Sequence, residues 1–528
     1  MASKVLLSDK LAPEGIEILS RTPGIEVDSR PGLDAAELIS TIGGYEGLII
    51  RSGTTVTRDV VAAADRLRVI GRAGIGVDNI DIDAASKRGI VVMNTPGGNN
   101  VTTAEHTISM MLSMARHIPQ ANASLRAGQW RRGDFLGTEV ANKTLGIIGT
   151  GNIGSIVAGL AKGLHMNIVA YDPYITEQAA ARLGVELVDL DQLYARADFI
   201  SVHTPLTPDT RGLIAGDAFE KMKPGVRVLN CARGGIIDEQ ALLAALESGK
   251  VAGAAMDVFC DEPPGGDHPL VSHPRVVATP HLGASTGEAQ LNVAIAVAEQ
   301  VRDFLLDGTI RNALNVASVS SELAGVVGPY MDLAGKIGRL YAQYAKSLPG
   351  EVKIEYRGQI AEADCRPVTA AVLEGLLAPV MDTPVNRVNA PFLAKDRGVT
   401  VVEQRRSDAK GYANSLLVSF EGSSGTTVIE GAVFGSGVIR LVRFDDFHLE
   451  AIPVGHIIVV QNHDIPGVVG RVGTFLGKER INIAGLELGR VHGDAISFVH
   501  VDTPLDETQL KAFRTLEGIT RADMVDLG

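Results

Sequence analysis

Leu145-Gly146-Ile147-Ile148-Gly149-Thr150-Gly151-Asn152-Ile153-Gly154 closes a short apolar run and opens a helical pattern. A GxGxxG alone is weak, but between a strand and a helix it reads as a dinucleotide fingerprint. Gly149 makes the tight turn, Gly151 lets backbone approach a pyrophosphate, and Gly154 allows close helix–strand packing. The helix start adds free N–H groups and positive potential. Asp172 ends the next apolar run, eighteen residues after Gly154, where a carboxylate accepts from both ribose hydroxyls. Its charge repels a 2′-phosphate, and Pro173 follows rather than an arginine, so the pattern favours NAD over NADP.

Outward from this stretch, Thr144–Ile148, Asn167–Tyr171, Asp198–Val202, Val226–Asn230, Gly253–Met256 and Val276–Ala278 read as strands with helices between most of them. Upstream, Lys4–Ser8, Gly47–Ile50, Arg68–Ile70 and Val91–Met93 predict a smaller parallel α/β unit. Long helical patterns over Asn99–Arg116 and Thr286–Asp307 bracket the fingerprint region, which implies insertion of one unit into the other. The expected division is 1–98 with 283–316, 99–282, 317–453 and 454–528. The third part carries strand patterns at Val352–Gln359, Leu416–Glu421 and Val438–Arg443 and a helix at Val368–Ala378, an α+β texture without a catalytic pattern. After Pro453-Val454-Gly455 the order βαββαβ predicts a ferredoxin-like end.

Length supports several cores: 528 residues exceed one domain. A formal charge of −13 argues against a general nucleic-acid surface. Cys231, Cys260 and Cys365 have no metal-type spacing, so no metal site is expected. No apolar run reaches about 18 residues and no signal pattern opens the chain, so no membrane partner and a cytoplasmic location are expected.

Three groups downstream suit acid–base chemistry on a 2-hydroxy acid. Arg233, in Asn230-Cys231-Ala232-Arg233-Gly234-Gly235, offers a fork that matches a carboxylate. His281, in Thr279-Pro280-His281-Leu282-Gly283, lies where a strand ends at the ligand side of a sheet. Glu262 can orient that imidazole and stabilise its charged form. Asp257 needs a buried partner, which is either the nicotinamide amide or the local loop. Asn152, Ile153, Cys231, Ala232 and Gly283 flank these groups and are expected against the cofactor, Cys231 through its backbone only.

With these residues the first ~315 positions resemble the D-isomer-specific 2-hydroxyacid dehydrogenases, and Gly71-Arg72-Ala73-Gly74-Ile75-Gly76-Val77-Asp78-Asn79-Ile80-Asp81 is similar to their N-terminal signature. Long members of that family oxidise 3-phosphoglycerate. The resemblance implies two Rossmann-like lobes, one inserted in the other, then an intervening domain and a ferredoxin-like ACT domain. It implies Arg233 on the substrate, His281 as proton acceptor and Glu262 as its partner, Thr204 and Pro205 beside the adenine, and amides around Gly74 and Gly76 on the substrate carboxylate. Arg51 matches a phosphate-binding arginine, whereas Gly53 stands where some relatives carry a second one. Trp130 and Arg132 resemble a segment reaching across from a second subunit, and a solvated basic turn is the alternative. Asn462, Asp464 and Asn482 would contact L-serine in the ACT end, which could instead be a dimerisation module. A homo-oligomer, a dimer of dimers, is the implied assembly. A reductase of hydroxypyruvate or 2-oxoglutarate, or an NAD-sensing partner protein, remains the alternative.

Overall fold

The structure, a computed structural model, describes residues 2–316, 321–381, 384–407, 412, 414–422, 425–435 and 437–528, with backbone alone for 321–326. Strands β1 (Ser3–Leu7), β2 (Ile25–Ser29), β3 (Gly47–Ile50), β4 (Val69–Arg72) and β5 (Val91–Met93) form a parallel sheet in the order β2-β1-β3-β4-β5. The edge strand β2 escaped the sequence reading because its short Ile-Glu-Val-Asp-Ser run carries two carboxylates.

A second parallel sheet holds β6 (Thr144–Ile148), β7 (Asn167–Tyr171), β8 (Glu186–Leu187), β9 (Phe199–Val202), β10 (Val226–Asn230), β11 (Val251–Met256) and β12 (Val276–Ala278). Its order, β12-β11-β10-β9-β6-β7-β8, reverses between β6 and β9, which places the glycine loop after β6 at a topological switch point. The Asn100–Ala115 helix packs Met110, Met111 and Met114 against Leu145, Ile147 and Leu229 of this sheet. The Gly287–Asp307 helix instead covers the first sheet, with Val293, Val297 and Val301 against Val5, Leu7 and Ile49. Thr286 caps its start by accepting from the Ala289 amide, and Gly308 at φ +76° ends it.

The third sheet is mixed: β13 (Glu351–Gly358), β14 (Thr400–Arg406), β15 (Asn414–Gly422), β16 (Gly425–Phe434), β17 (Val438–Phe444) and β18 (Phe447–Ala451), ordered β14-β13-β15-β16-β17-β18 with only β13 and β14 parallel. A helix over Ser321–Ala345, absent from the sequence expectation, crosses the Arg366–Leu377 helix on it. The fourth sheet, β19 (His456–His463), β20 (Ile483–Val491), β21 (Asp494–Val501) and β22 (Ile519–Asp526), is antiparallel in the order β20-β21-β19-β22, as the βαββαβ pattern predicts.

Alternation along β19 separates two cores. Ile458 and Val460 face the Val468–Lys478 and Glu507–Arg514 helices, meeting Val472, Leu476 and Phe513. Ile457 and Val459 face the other way and share a core with Leu333, Ile337 and Leu340 of the Ser321–Ala345 helix, as do Phe498 and Val525. No helix among the described residues is long and apolar enough to cross a membrane, and no cluster of three or more metal-ligating side chains occurs among them.

Candidate active site

A cleft of about 430 Å³ opens between the ends of the two parallel sheets. Arg72, Gly76 and Asp78 line it from the first sheet; Asn152, Ile153, Thr204, Pro205, Cys231, Ala232, Arg233, His281 and Gly283 line it from the second or its flanking loops. The chain therefore brings the guanidinium of Arg233 and the imidazole of His281 to one cavity, with the glycine loop beside them.

His281 Nδ1 lies 2.6 Å from Glu262 Oε2, so its Nε2 is the atom left to exchange a proton in the cleft. Burial opposes ionisation of Glu262, but the bonds from His281 and the Phe259 amide outweigh it and hold the carboxyl below its ordinary range. His281 has φ +53°, a conformation a non-glycine residue keeps only when its surroundings impose it. Asp257 imposes it. Its carbonyl accepts from the His281 amide at 2.9 Å, and its carboxylate accepts from the Leu282 and Gly283 amides at 2.7 and 2.8 Å and from Thr279 Oγ1 at 2.6 Å. His106 Nε2 adds a fourth partner to the carboxylate at 3.2 Å. So engaged and 1% exposed, Asp257 anchors the histidine loop, the local role that the sequence offered beside a contact with the nicotinamide amide.

Arg233 Nε donates to Asp78 Oδ2 at 2.7 Å, and Nη1 donates to the Ala232 carbonyl at 2.7 Å. The loop around it is shaped by buried Asn230, which donates to the Arg233 carbonyl and accepts from the Ala232 amide. Two more arginines belong to the neighbourhood. Arg72, missed by the sequence reading although its signature segment was in view, places its guanidinium at the cleft; Gly74, at φ +144°, makes room, since a Cβ there would lie 1.4 Å from Arg72 Nη1. Burial first, then the charges of Arg233 and Arg51, push the Arg72 pKa down to about 10. Arg51 lies outside the main cavity, on two neighbouring hollows with Lys10. Gly53 beside it has no space for a larger residue while Asp9 is present: a Cβ would meet Asp9 Oδ1 at 2.4 Å.

The Gly74 amide, expected on the substrate carboxylate, donates instead to Thr95 Oγ1 at 2.7 Å; the Gly76 amide, with those of Ile75 and Val77, donates to no acceptor among the described residues. Cys231 is inert, because burial, then the Asp257 charge, pushes its thiol up to about 12. His203, also unforeseen, backs the glycine loop; burial pulls its pKa down to about 4, which keeps it neutral.

The cavity fits NAD. Arg72 Nε, Asn99 Oδ1, Asn100 Oδ1 and Thr204 Oγ1 line it, buried and without a partner among the described residues, where bound polar groups would satisfy them. A Cβ on Gly149 would strike the His203 carbonyl at 2.8 Å and one on Gly154 the Gly149 carbonyl at 2.0 Å, whereas Gly151 faces open space, the three roles the fingerprint assigns. Asp172 Oδ2 is taken twice, by the Thr150 amide and hydroxyl, and Oδ1 once, by the Tyr174 amide. Burial opposes its ionisation, but these bonds prevail and keep it charged. One lone pair of Oδ1 stays open, so the carboxylate as placed has room for one ribose hydroxyl rather than two.

Comparison with known proteins covers the whole chain. Residues 108–283 match the model for the D-isomer specific 2-hydroxyacid dehydrogenase NAD binding domain, 326–445 that for the D-3-phosphoglycerate dehydrogenase intervening domain, and 456–518 that for the ACT domain. The chain is 42% identical to the D-3-phosphoglycerate dehydrogenase of Synechocystis over 99% of its own length and 95% of that protein's. The chain belongs to the D-3-phosphoglycerate dehydrogenase family. The relative from Archaeoglobus fulgidus, also 42% identical, is covered over its full length. Among solved structures, apo D-lactate dehydrogenase from Escherichia coli (31% identity, TM-score 0.53) and a glyoxylate reductase from Paecilomyes thermophila (30%, TM-score 0.55) each match 59% of this chain and 99% and 98% of their own. NAD is the family's cofactor in this domain.

Two groups of site residues lie elsewhere. Trp130 is 81% exposed, and the Ile118–Arg126 helix before it buries none of its residues, with Ile118 and Leu125 open to solvent. Arg132 is exposed on the same arm. Neither Trp130 nor Arg132 lines its own chain's cleft. In the ACT domain, Asn462 is buried and donates to the His463 carbonyl, Asp464 pairs with Arg490 at 2.7 Å, and Asn482 donates to Asp502 at 2.8 Å.

Proposed function

We propose that this chain oxidises D-3-phosphoglycerate to 3-phosphohydroxypyruvate with NAD, the first step of a phosphorylated route to L-serine. The observation that carries this is one cavity lined by His281, Arg233 and Arg72, with Glu262 bonded to His281 and Arg51 near enough to disturb Arg72. Such a concentration of positive charge suits an acid bearing both a carboxylate and a phosphate. The comparisons support the same activity, since the relatives that match along the chain carry that name.

In the reaction, Arg233 holds the substrate carboxylate and polarises the carbon that bears the hydroxyl. Neutral His281 takes the hydroxyl proton on Nε2 while the C–H bond breaks and the C=O bond forms. Glu262 keeps the imidazole in place through Nδ1 and stabilises the imidazolium. The Gly149–Gly154 loop, Asp172 and Thr204 would hold NAD, which would supply the hydride acceptor. Arg72 and Arg51 are assigned to the phosphate.

The exposed apolar arm around Trp130 supports a homo-oligomer in which Arg132 of one copy adds charge to a neighbour's cleft. The ACT domain supports amino-acid regulation, with L-serine as effector. The deciding experiment follows NADH formation from 3-phosphoglycerate with and without serine, beside NADH consumption with hydroxypyruvate and 2-oxoglutarate. Turnover confined to the last two would overturn the substrate; a full chain indifferent to serine would overturn the effector.

A further inference from the structure

The Arg233 side chain spans the cleft and ends on a carboxylate of the opposite lobe. A guanidinium presents two bidentate edges, Nε with one Nη and the two Nη together. Asp78 Oδ2, 2.7 Å from Nε, closes the first edge. Nη1 spends one hydrogen on the Ala232 carbonyl, which leaves its second hydrogen and both of Nη2. Nη2 lies over Gly76, where a Cβ would come within 1.9 Å, so the fork takes this direction only above a glycine.

The loop that carries Asp78 is itself fixed. Asn94 Nδ2 holds the Ile75 carbonyl at 2.7 Å, and Asn79 Nδ2 holds the carbonyls of Arg51 and Thr54 at 2.7 and 2.6 Å. Asp78 is largely exposed, so packing does not explain its presence opposite an arginine in a cleft built for anions. We infer that Asp78 is a positioning residue: it anchors Arg233 across the cleft and reserves the outer, two-Nη edge for the substrate carboxylate. The inference rests on the function proposed above only in taking Arg233 as the partner of that carboxylate. A second consequence is that Arg233 reaches its working direction only when the two lobes stand close enough for the pair to form.

The test is steady-state kinetics on the full chain with Asp78→Ala and Asp78→Asn, each also in an Arg233→Lys background, which keeps the charge and removes the fork. Asp78→Ala should raise KM for the acid by about tenfold or more, the scale of one lost charge-assisted hydrogen bond, and leave KM for NAD unchanged. Asp78→Asn, which retains an acceptor oxygen, should recover part of the loss. In the Arg233→Lys background the same changes should have little further effect. A lower KM for Asp78→Ala would mean that the carboxylate merely repels the substrate. Equal losses in both backgrounds, or a joint rise of both KM values, would equally overturn the inference. The assay uses 3-phosphoglycerate, or whichever 2-hydroxy acid the unaltered chain oxidises; inactivity of that chain on 3-phosphoglycerate counts against the proposed function and not against the pair.

Discussion

Asp257 touches no reacting atom in the scheme above, yet the position of His281 depends on it. Removing its carboxylate would strand the Leu282 and Gly283 amides and release Thr279 beneath a residue at positive φ. Unmet buried donors cost about 1–3 kcal/mol each, which is enough to let the loop relax. His281→Ala should lower turnover at least ~100-fold, the low end for general acid–base catalysis. Asp257→Ala should reproduce much of that loss while NAD binding, followed by fluorescence quenching, persists. Turnover close to the unaltered chain would show that the loop holds its shape unaided. The residues proposed for catalysis were legible as candidates because Arg233, Glu262 and His281 each stand shortly after an apolar strand. Asp78, Arg72 and the inward use of the Gly74 amide were not, because contacts across two lobes leave no local pattern.

Elements announced themselves where hydrophobic periodicity was regular. Gly47–Ile50, Thr144–Ile148, Asn167–Tyr171, Val226–Asn230, Val91–Met93 and Val276–Ala278 are strands with the bounds the pattern predicts. The Ser321–Ala345 helix stayed hidden for the opposite reason. Gly328-Pro329, Gly335 and Gly338 read as breakers, and in isolation they are. One of those glycines and one on the facing Arg366–Leu377 helix serve the crossing: a Cβ on Gly338 would lie 2.1 Å from the Val372 carbonyl, and one on Gly375 would lie 2.0 Å from the Gly335 carbonyl. Backbone cannot yield as a flexible side chain can, so Gly375→Val should push the helices apart and destabilise this domain by about 3 kcal/mol or more, at or above the upper end of ordinary overpacking. Differential scanning calorimetry should show an early transition for the regulatory half with the catalytic transition unmoved. A single unshifted profile would mean the crossing has slack.

Across the whole molecule, the ACT sheet is less independent than its sequence pattern suggests. Its second face is roofed by the Ser321–Ala345 helix, and each apolar side chain fully buried there, such as Ile457, Val459, Phe498 or Val525, contributes about 1.5–3 kcal/mol. Polar ties fasten the edge. Gln343 exchanges two hydrogen bonds with the Asp526 backbone, Lys336 donates to the Pro453 carbonyl, and the Arg521 guanidinium sits 3.6 Å from the centre of the Tyr344 ring. Asp523, nearly buried, is held by Arg521 at 2.7 Å, Lys346 at 3.0 Å and Arg514 at 3.2 Å. Burial works against its charge, but Arg521 and Lys346 outweigh it and keep its carboxyl below the ordinary aspartate range. A depressed carboxyl stabilises the fold fully above the unfolded value of about 3.9 and loses that contribution as pH falls through the folded one. Docking of the ACT domain should therefore weaken below about pH 4, seen as new dye-binding apolar surface between pH 5 and 3. A flat response across that range would relieve Asp523 of this role.

One small side chain bears on how the two halves of the chain communicate. Asn315 Oδ1 accepts from the Val92 amide while its Nδ2 donates to the Ile90 carbonyl and to Ser86, and farther on Asn386 grips the Gly89 carbonyl. These clasps sit on the outermost strand of the smaller sheet, next to the strand that delivers Arg72. A swing of the distal half would thus act like a handle on one jaw of a vice, the jaw that carries Arg72 and Asp78, and would move it against the jaw that carries Arg233.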